Sequence, residues 1–131
     1  MMVTSVTIGA PDPRALADFY SRLLEWRITA ADPPRPGRPP EDGWAQIAPP
    51  DGAQGPTLNF EYETDYVGPT WPSVPGEPQI QEHLDIAVND LDAGVRWAVE
   101  VGAKLAEYQP QDHVRVMLDP AGHPFCLFVR D

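Results

Sequence analysis

Apolar side chains recur along this chain in two rhythms, and each rhythm occurs twice. Val3 to Ala10 alternates apolar and polar positions as a strand does, and His83 to Val88 repeats the alternation. Behind each strand stands an acid suited to capping a helix, Asp12 before Pro13 and Asp90 before Leu91. Leu16, Phe19, Tyr20, Leu23 and Leu24 then recur at three- and four-residue spacing, which makes one apolar stripe and leaves Arg14, Asp18 and Arg22 to solvent. In the second copy the stripe is Leu91, Val95, Ala98 and Val99, closed by Gly102. Short alternating segments follow in both halves. They are Arg27 to Ala30, Trp44 to Ala48 and Thr57 to Glu63, then Lys104 to Tyr108, Val114 to Leu118 and Phe125 to Arg130. The pattern predicts an α+β fold of two βαβββ units in which Ser5 and His83 hold equivalent places.

Proline marks the breaks between these elements. Of 17 prolines, 12 lie between Pro33 and Pro78, and both Pro33 to Pro40 and Gly68 to Pro78 lack the donors that a helix or central strand needs. The first stretch is expected to be an exposed excursion between strands, and the second to join the units. A single domain over 1–131 is expected, with module one at about 1–66, a linker at about 67–79 and module two at about 80–131. One helix covers one face of each small sheet, so the other face must be covered or line a cavity.

Composition narrows the partners. A formal net charge of −11 argues against nucleic acid and against an anionic membrane surface. No apolar run approaches the ~20 residues of a membrane span. The single cysteine, Cys126, excludes an intrachain disulfide and fits a reducing compartment, so a cytoplasmic location is expected. No phosphate loop, dinucleotide fingerprint, zinc pair or nucleophile elbow occurs.

Asp12-Pro-Arg-Ala-Leu-Ala-Asp-Phe-Tyr-Ser-Arg-Leu-Leu24, His83-Leu-Asp-Ile-Ala-Val-Asn-Asp-Leu-Asp92, Gly102-Ala103 and Asp119-Pro-Ala-Gly-His-Pro-Phe-Cys-Leu127 resemble the glyoxalase, bleomycin-resistance and extradiol-dioxygenase superfamily, also called vicinal oxygen chelate. The nearest likeness is to its small glyoxalase-like branch, which Thr70-Trp71-Pro72 also resembles. The resemblance implies two βαβββ modules pairing into a cup-shaped mixed sheet with helices on the outer face, often completed as a homodimer. It implies no single chemistry. Many members hold a divalent metal with residues of the first and last strand of each module. Those positions are Ser5, His83, Cys126 and Asn59 here, or Glu61 in place of Asn59 if the alignment slips by two. Hard-metal coordination wants His, Glu or Gln at three or four of them, so no metal or other cofactor is expected. A divalent metal, if present, would use Glu61, His83 and Cys126.

Within a strand whose Leu84, Ile86 and Val88 face the helix, His83 and Asp85 point to the other face. His83 is the candidate catalytic base, with Asp85 as a charge beside it. Trp44, Trp71 and Tyr108 lie outside the helix stripes, where flat side chains can stack on a planar ligand. Phe19, Tyr20, Leu58, Phe60 and Phe128 are assigned to packing. Cys126, between Phe125 and Leu127, is expected to be a buried small apolar residue, and His123 to occupy a left-handed turn position. The expected function is binding of a small organic molecule by Trp44, Trp71, His83, Asp85 and Tyr108 without a metal, in the style of sequestering or resistance proteins. The alternative is an enzyme, either a metal-dependent lyase, isomerase or dioxygenase, or a metal-free one using His83.

Overall fold

In the computed structural model, which describes residues 1–130, the chain forms two compact units, Met1–Tyr66 and a second beginning at Val67. The first unit runs β1 (Ser5–Ala10), α1 (Pro13–Leu24), β2 (Arg27–Asp32), β3 (Trp44–Ala48) and β4 (Thr57–Tyr62). The second repeats the order as β5 (Asp85–Val88), α2 (Leu91–Val101), β6 (Lys104–Leu105), β7 (Val114–Leu118) and β8 (Pro124–Val129). Each unit is a βαβββ module with one mixed four-stranded sheet, ordered β1-β4-β3-β2 in one and β5-β8-β7-β6 in the other. The class is α+β, as the alternation predicts. In both sheets the first and last strands of the module pair in parallel and the other neighbours are antiparallel.

Both helices begin on the expected acids. Asp12 accepts a hydrogen bond from the Ala15 amide at 3.0 Å, and Asp90 accepts one from the Ala93 amide at 2.7 Å, so each neutralises an orphan donor of the first turn. The stripe of α1 buries Leu16, Phe19, Tyr20 and Leu23 against Ala45, Ile47, Leu58 and Phe60, with Tyr20 and Phe60 stacked at 5.6 Å between ring centroids. In α2 the buried residues are Ala98 and Val101, whereas Val99 is 49% exposed. The sequence stripe placed Val99 inside; helical rotation of 100° per residue carries it past the edge of the packed face and brings Val101 in. Gly94 lets α2 lie close to β5, because a Cβ there would come within 3.0 Å of Val88.

Two strands are shorter than their alternation suggests. β5 starts at Asp85, so His83 precedes the strand; the Leu84 carbonyl still accepts from the Cys126 amide at 2.8 Å. β6 stops at Leu105 because a side chain takes over its pairing. Gln109 donates through Nε2 to the Val116 carbonyl at 2.9 Å, and its Oε1 accepts from the Val116 amide at 2.8 Å. The Ala106 amide still donates to the Val116 carbonyl at 3.0 Å, but the side chain takes the Val116 amide and also donates to the Ala106 carbonyl at 2.9 Å, which ends the ladder there. In the Asp119–His123 turn the left-handed residue is Gly122 (φ 86), not His123, because the Asp119 carboxylate draws in the Ala121 and His123 amides at 2.8 and 3.0 Å.

The proline-rich excursion between β2 and β3 is clasped rather than loose. Arg14, expected in solvent, donates to the carbonyls of Asp32, Pro40 and Asp42 at 2.9, 2.6 and 2.7 Å. Asp42 is fully buried and accepts from the Arg35 amide at 2.9 Å and from its guanidinium at 2.6 and 3.0 Å, with Arg38 at 3.4 Å. Gly43 completes the clasp at φ 135, since a Cβ there would collide with the Arg14 guanidinium and the Asp32 carbonyl. The Arg35 side-chain and backbone hydrogen bonds hold the Asp42 carboxyl well below the usual carboxylate range. A depressed folded value means that the ion pair stabilises fully above the unfolded value of about 3.9 and is lost as pH falls below it. Asp42→Asn is therefore expected to lower the melting temperature at pH 7, and thermal unfolding followed from pH 7 to pH 2 should show the gap to the natural chain closing below about pH 4.

Candidate functional site

In the second module, β7 and β8 divide their side chains between two faces. Met117, Phe125 and Leu127 are buried on the side that packs under α2. Val114, Val116, Pro124 and Cys126 alternate with them and line a groove of about 170 Å³ on the opposite face. Trp71, Ile80, His83, Pro110 and Gln111 form its remaining walls. Apart from His83, Gln111 and the Cys126 thiol, the lining is apolar.

Each wall has a local cause. The Trp71 indole Nε1 donates to the Tyr108 carbonyl at 3.1 Å and the two rings lie 5.9 Å apart at 49°, which fixes the indole plane against the loop after β6. Trp71 also forms the cis peptide with Pro72, and the Thr70 amide donates to the Pro78 carbonyl at 2.8 Å, closing the 70–78 segment on itself. Gln109, held on Val116 as described, sets Pro110 and Gln111 over the sheet. The loop walls are thus tied to backbone at both ends.

At one end of the groove three chemical groups converge. His83 Nε2 lies 3.3 Å from Asp85 Oδ1, with side-chain exposures of 46% and 62%. Asp85 is the register partner of Cys126 on β8. Among the described residues, His83, Asp85 and Cys126 form the group that could hold a metal, their ligand atoms all within 4.8 Å of one another. One imidazole, one carboxylate and one sulfur suit a borderline ion such as Zn²⁺ better than Mg²⁺ or Mn²⁺. Such an ion would polarise an oxygen of a bound molecule. Cys126 is half-buried, not the core residue its apolar neighbours suggest, because strand alternation turns it away from Phe125 and Leu127. Burial, followed by the Asp85 charge and a hydrogen bond to Asp85, pushes its thiol above the ordinary value.

The other sequence candidates fall elsewhere. Tyr108 is 51% exposed and acts through its carbonyl and ring on Trp71. Trp44 and Glu61 belong to the first module, where they are register partners on β3 and β4. The register also aligns the two modules. Thr7 pairs with Asn59 as Asp85 pairs with Cys126, and Thr7 and Asp85 stand equally far ahead of their capping acids. Asn59 is therefore the counterpart of Cys126, and Glu61 is the counterpart of Phe128. Asp85 stands in the trio where the sequence reading had placed Glu61. Phe128, assigned to packing, alternates with Phe125 and Leu127 and so lies on the groove face. Ile80, Pro110, Gln111, Val114, Val116 and Pro124 were not singled out from sequence. Only the β7 and β8 members carried a signal, the two-residue period they share with Cys126.

A sequence profile of the Glyoxalase-like domain matches residues 5–128. No curated protein matches the sequence. Among solved structures, a glyoxalase family protein from Enterococcus faecalis is similar with a TM-score of 0.66 at 19% identity, over 97% of this chain and 96% of that one. An antibiotic binding protein from a Streptomyces species is similar at a TM-score of 0.59 and 21% identity, over 100% and 97% of the two chains. A fosfomycin resistance protein from Mesorhizobium loti is similar at 0.67 and 11%, over 99% and 92%. At these identities the likeness establishes a shared fold.

The raised thiol value makes a reactivity prediction. Cys126 is expected to alkylate with iodoacetamide at pH 8 more slowly than a free thiol, and Asp85→Asn should accelerate it by removing the charge and bond that favour the protonated form. Mass spectrometry of the time course checks this, and an unchanged rate in the variant would separate Asp85 from the thiol.

Proposed function

The chain belongs to the glyoxalase-like domain family, and from that premise we propose that it is a metal-independent small-molecule binding protein whose second module grips an apolar or aromatic part of its ligand. The observation that carries this reading is the groove against Trp71, apolar along most of its length and walled by loops already tied to backbone. Its 170 Å³ is close to the roughly 150 Å³ that accepts a benzene ring, and below the ~300 Å³ at which drug-sized pockets begin. A single ring or short apolar group fits that space. Withdrawing such a group from water is worth about 2–3 kcal/mol, and an indole held in place by its own hydrogen bond loses little freedom when a ring stacks on it. The shared fold of an antibiotic binding protein and a fosfomycin resistance protein supports a sequestering or resistance role. A cytoplasmic location and a homodimer belong to the same proposal. The single Cys126 supports the first, and the second is supported by the edge positions of β1, β2, β5 and β6, which have one strand neighbour each among the described residues.

A second reading rests on His83, Asp85 and Cys126. With an ion on these three the protein would be a metal-dependent lyase, isomerase or dioxygenase of the same superfamily; without one, His83 at the groove edge is the group an enzyme would use as general base.

Two measurements decide between the readings. Calorimetric titration with phenol is expected to show saturable binding that weakens about tenfold in Trp71→Ala with the fold retained, the loss of one stacked aromatic partner. Equal affinity in the variant would remove Trp71 from the site. Native mass spectrometry after exposure to Zn²⁺ and removal of free metal should return a metal-free chain. One Zn²⁺ per chain, lost in His83→Ala, would transfer the assignment to the metalloenzyme.

A further inference from the structure

On the first module, the sheet face turned away from α1 carries polar side chains where the second module has its groove. They form a ladder across all four strands, from Thr29 on β2 through Gln46 on β3 to Asn59 and Thr57 on β4 and Ser5 on β1. A bulge between Ile28 and Ala30 leaves Thr29 outside the pairing, and its hydroxyl donates to Gln46 Oε1 at 3.0 Å. Gln46 Nε2 donates to Asn59 Oδ1 at 2.9 Å. The Thr57 hydroxyl, 2.9 Å from Ser5 Oγ, lies 3.2 Å from the same Asn59 oxygen.

Asn59 Oδ1 is therefore the shared acceptor of the ladder, and the amide plane is held from two sides. Its Nδ2 has no partner among the described residues, and no buried side-chain nitrogen or oxygen among them lacks one, so this group of the half-buried Asn59 is not fully buried. Beside it on β1 stands Thr7, its register partner, exposed and with a hydroxyl that likewise has no partner among the described residues. Adjacent strands lie about 4.8 Å apart, so an amide N–H and a hydroxyl are presented side by side on one face. Turning the amide over would set its Nδ2 against the Gln46 Nε2 donor, so the Gln46 bond preorganises the Asn59 donors.

We propose that Asn59 Nδ2 and the Thr7 hydroxyl form a subsite for the uncharged carbonyl oxygen of a small molecule. Asn59 Nδ2 can only donate and the Thr7 hydroxyl can donate beside it, so the pair suits an acceptor. Glu61 stands two residues along the same strand face, and the chain carries a formal net charge of −11, so a carboxylate or phosphate is repelled where a ketone or amide oxygen is not. The subsite is read from the first module alone and goes beyond the groove assignment.

The test is a pair of NMR titrations of the ¹⁵N-labelled full chain, one with acetophenone and one with benzoate, which present similar rings on a neutral and an anionic carbonyl. Acetophenone is expected to shift the Asn59 side-chain amide and the backbone amides of residues 7 and 59 to saturation, with benzoate about tenfold weaker or worse. Asn59→Asp keeps an acceptor for Gln46 and Thr57 but offers no N–H. It should weaken acetophenone about tenfold or more at residues 7 and 59 while the Trp71 indole resonance and the melting temperature stay at their natural values. Undisturbed Asn59 resonances, equal binding by the variant, or equal binding of benzoate would each overturn the assignment. The Trp71 indole resonance reports the second-module groove separately, so a ring held only there overturns the subsite and leaves the groove intact.

Discussion

A single helix can cover one face of a four-stranded sheet and no more, and most of what distinguishes this protein follows from that limit. In each module the helix-facing residues are held to one chemistry. Ala45, Ile47, Leu58 and Phe60 in the first, and Met117, Phe125 and Leu127 in the second, are all buried. Exchanging any large member for a polar one would leave an unpaired group under the helix, at a cost of several kcal/mol against a total stability of about 5–15 kcal/mol. The opposite faces carry no such constraint and have diverged.

The divergence is legible position by position because the register is the same in both modules. Thr7 and Asn59 stand in the first where Asp85 and Cys126 stand in the second. One face became a hydrogen-bonded ladder that pins an amide, the other an apolar floor with an imidazole, a carboxylate and a thiol at its edge. Equivalent backbones thus present unlike surfaces. This agrees with an architecture that can host unrelated functions on one backbone.

The loops show a different economy. The excursion around Asp42 and the segments around Trp71 and Gln109 have little regular structure, yet each is anchored by side chains bonded to main chain. Arg14 reaches three carbonyls, Gln109 bonds the Val116 amide and carbonyl, and Trp71 bonds the Tyr108 carbonyl. Buried or half-buried loop backbone must find partners for its donors and acceptors, and these side chains provide them. In the second module the same anchoring builds the groove walls, so loop order and groove shape have one origin.

What the sequence by itself determined was everything governed by local periodicity and capping: two βαβββ modules, helices opened by Asp12 and Asp90, and the alternation that sends His83 and Asp85 away from the helix side. Most of its errors share a cause. Arg14 read as solvent-facing, β6 as a full strand, and Glu61 as an alternative to Asn59 at the position matching Cys126, because each depends on a partner far along the chain; Val99 read as core because it sits at the edge of the helix stripe. Only the tertiary structure could decide the register that equates Asn59 with Cys126, the meeting of His83, Asp85 and Cys126, and the seating of Trp71 beside Val116 and Pro124. Helix and strand periodicity is set by neighbours a few residues apart, whereas a groove is set by which strands pair and where loops are tied, and a single sequence does not record those distances.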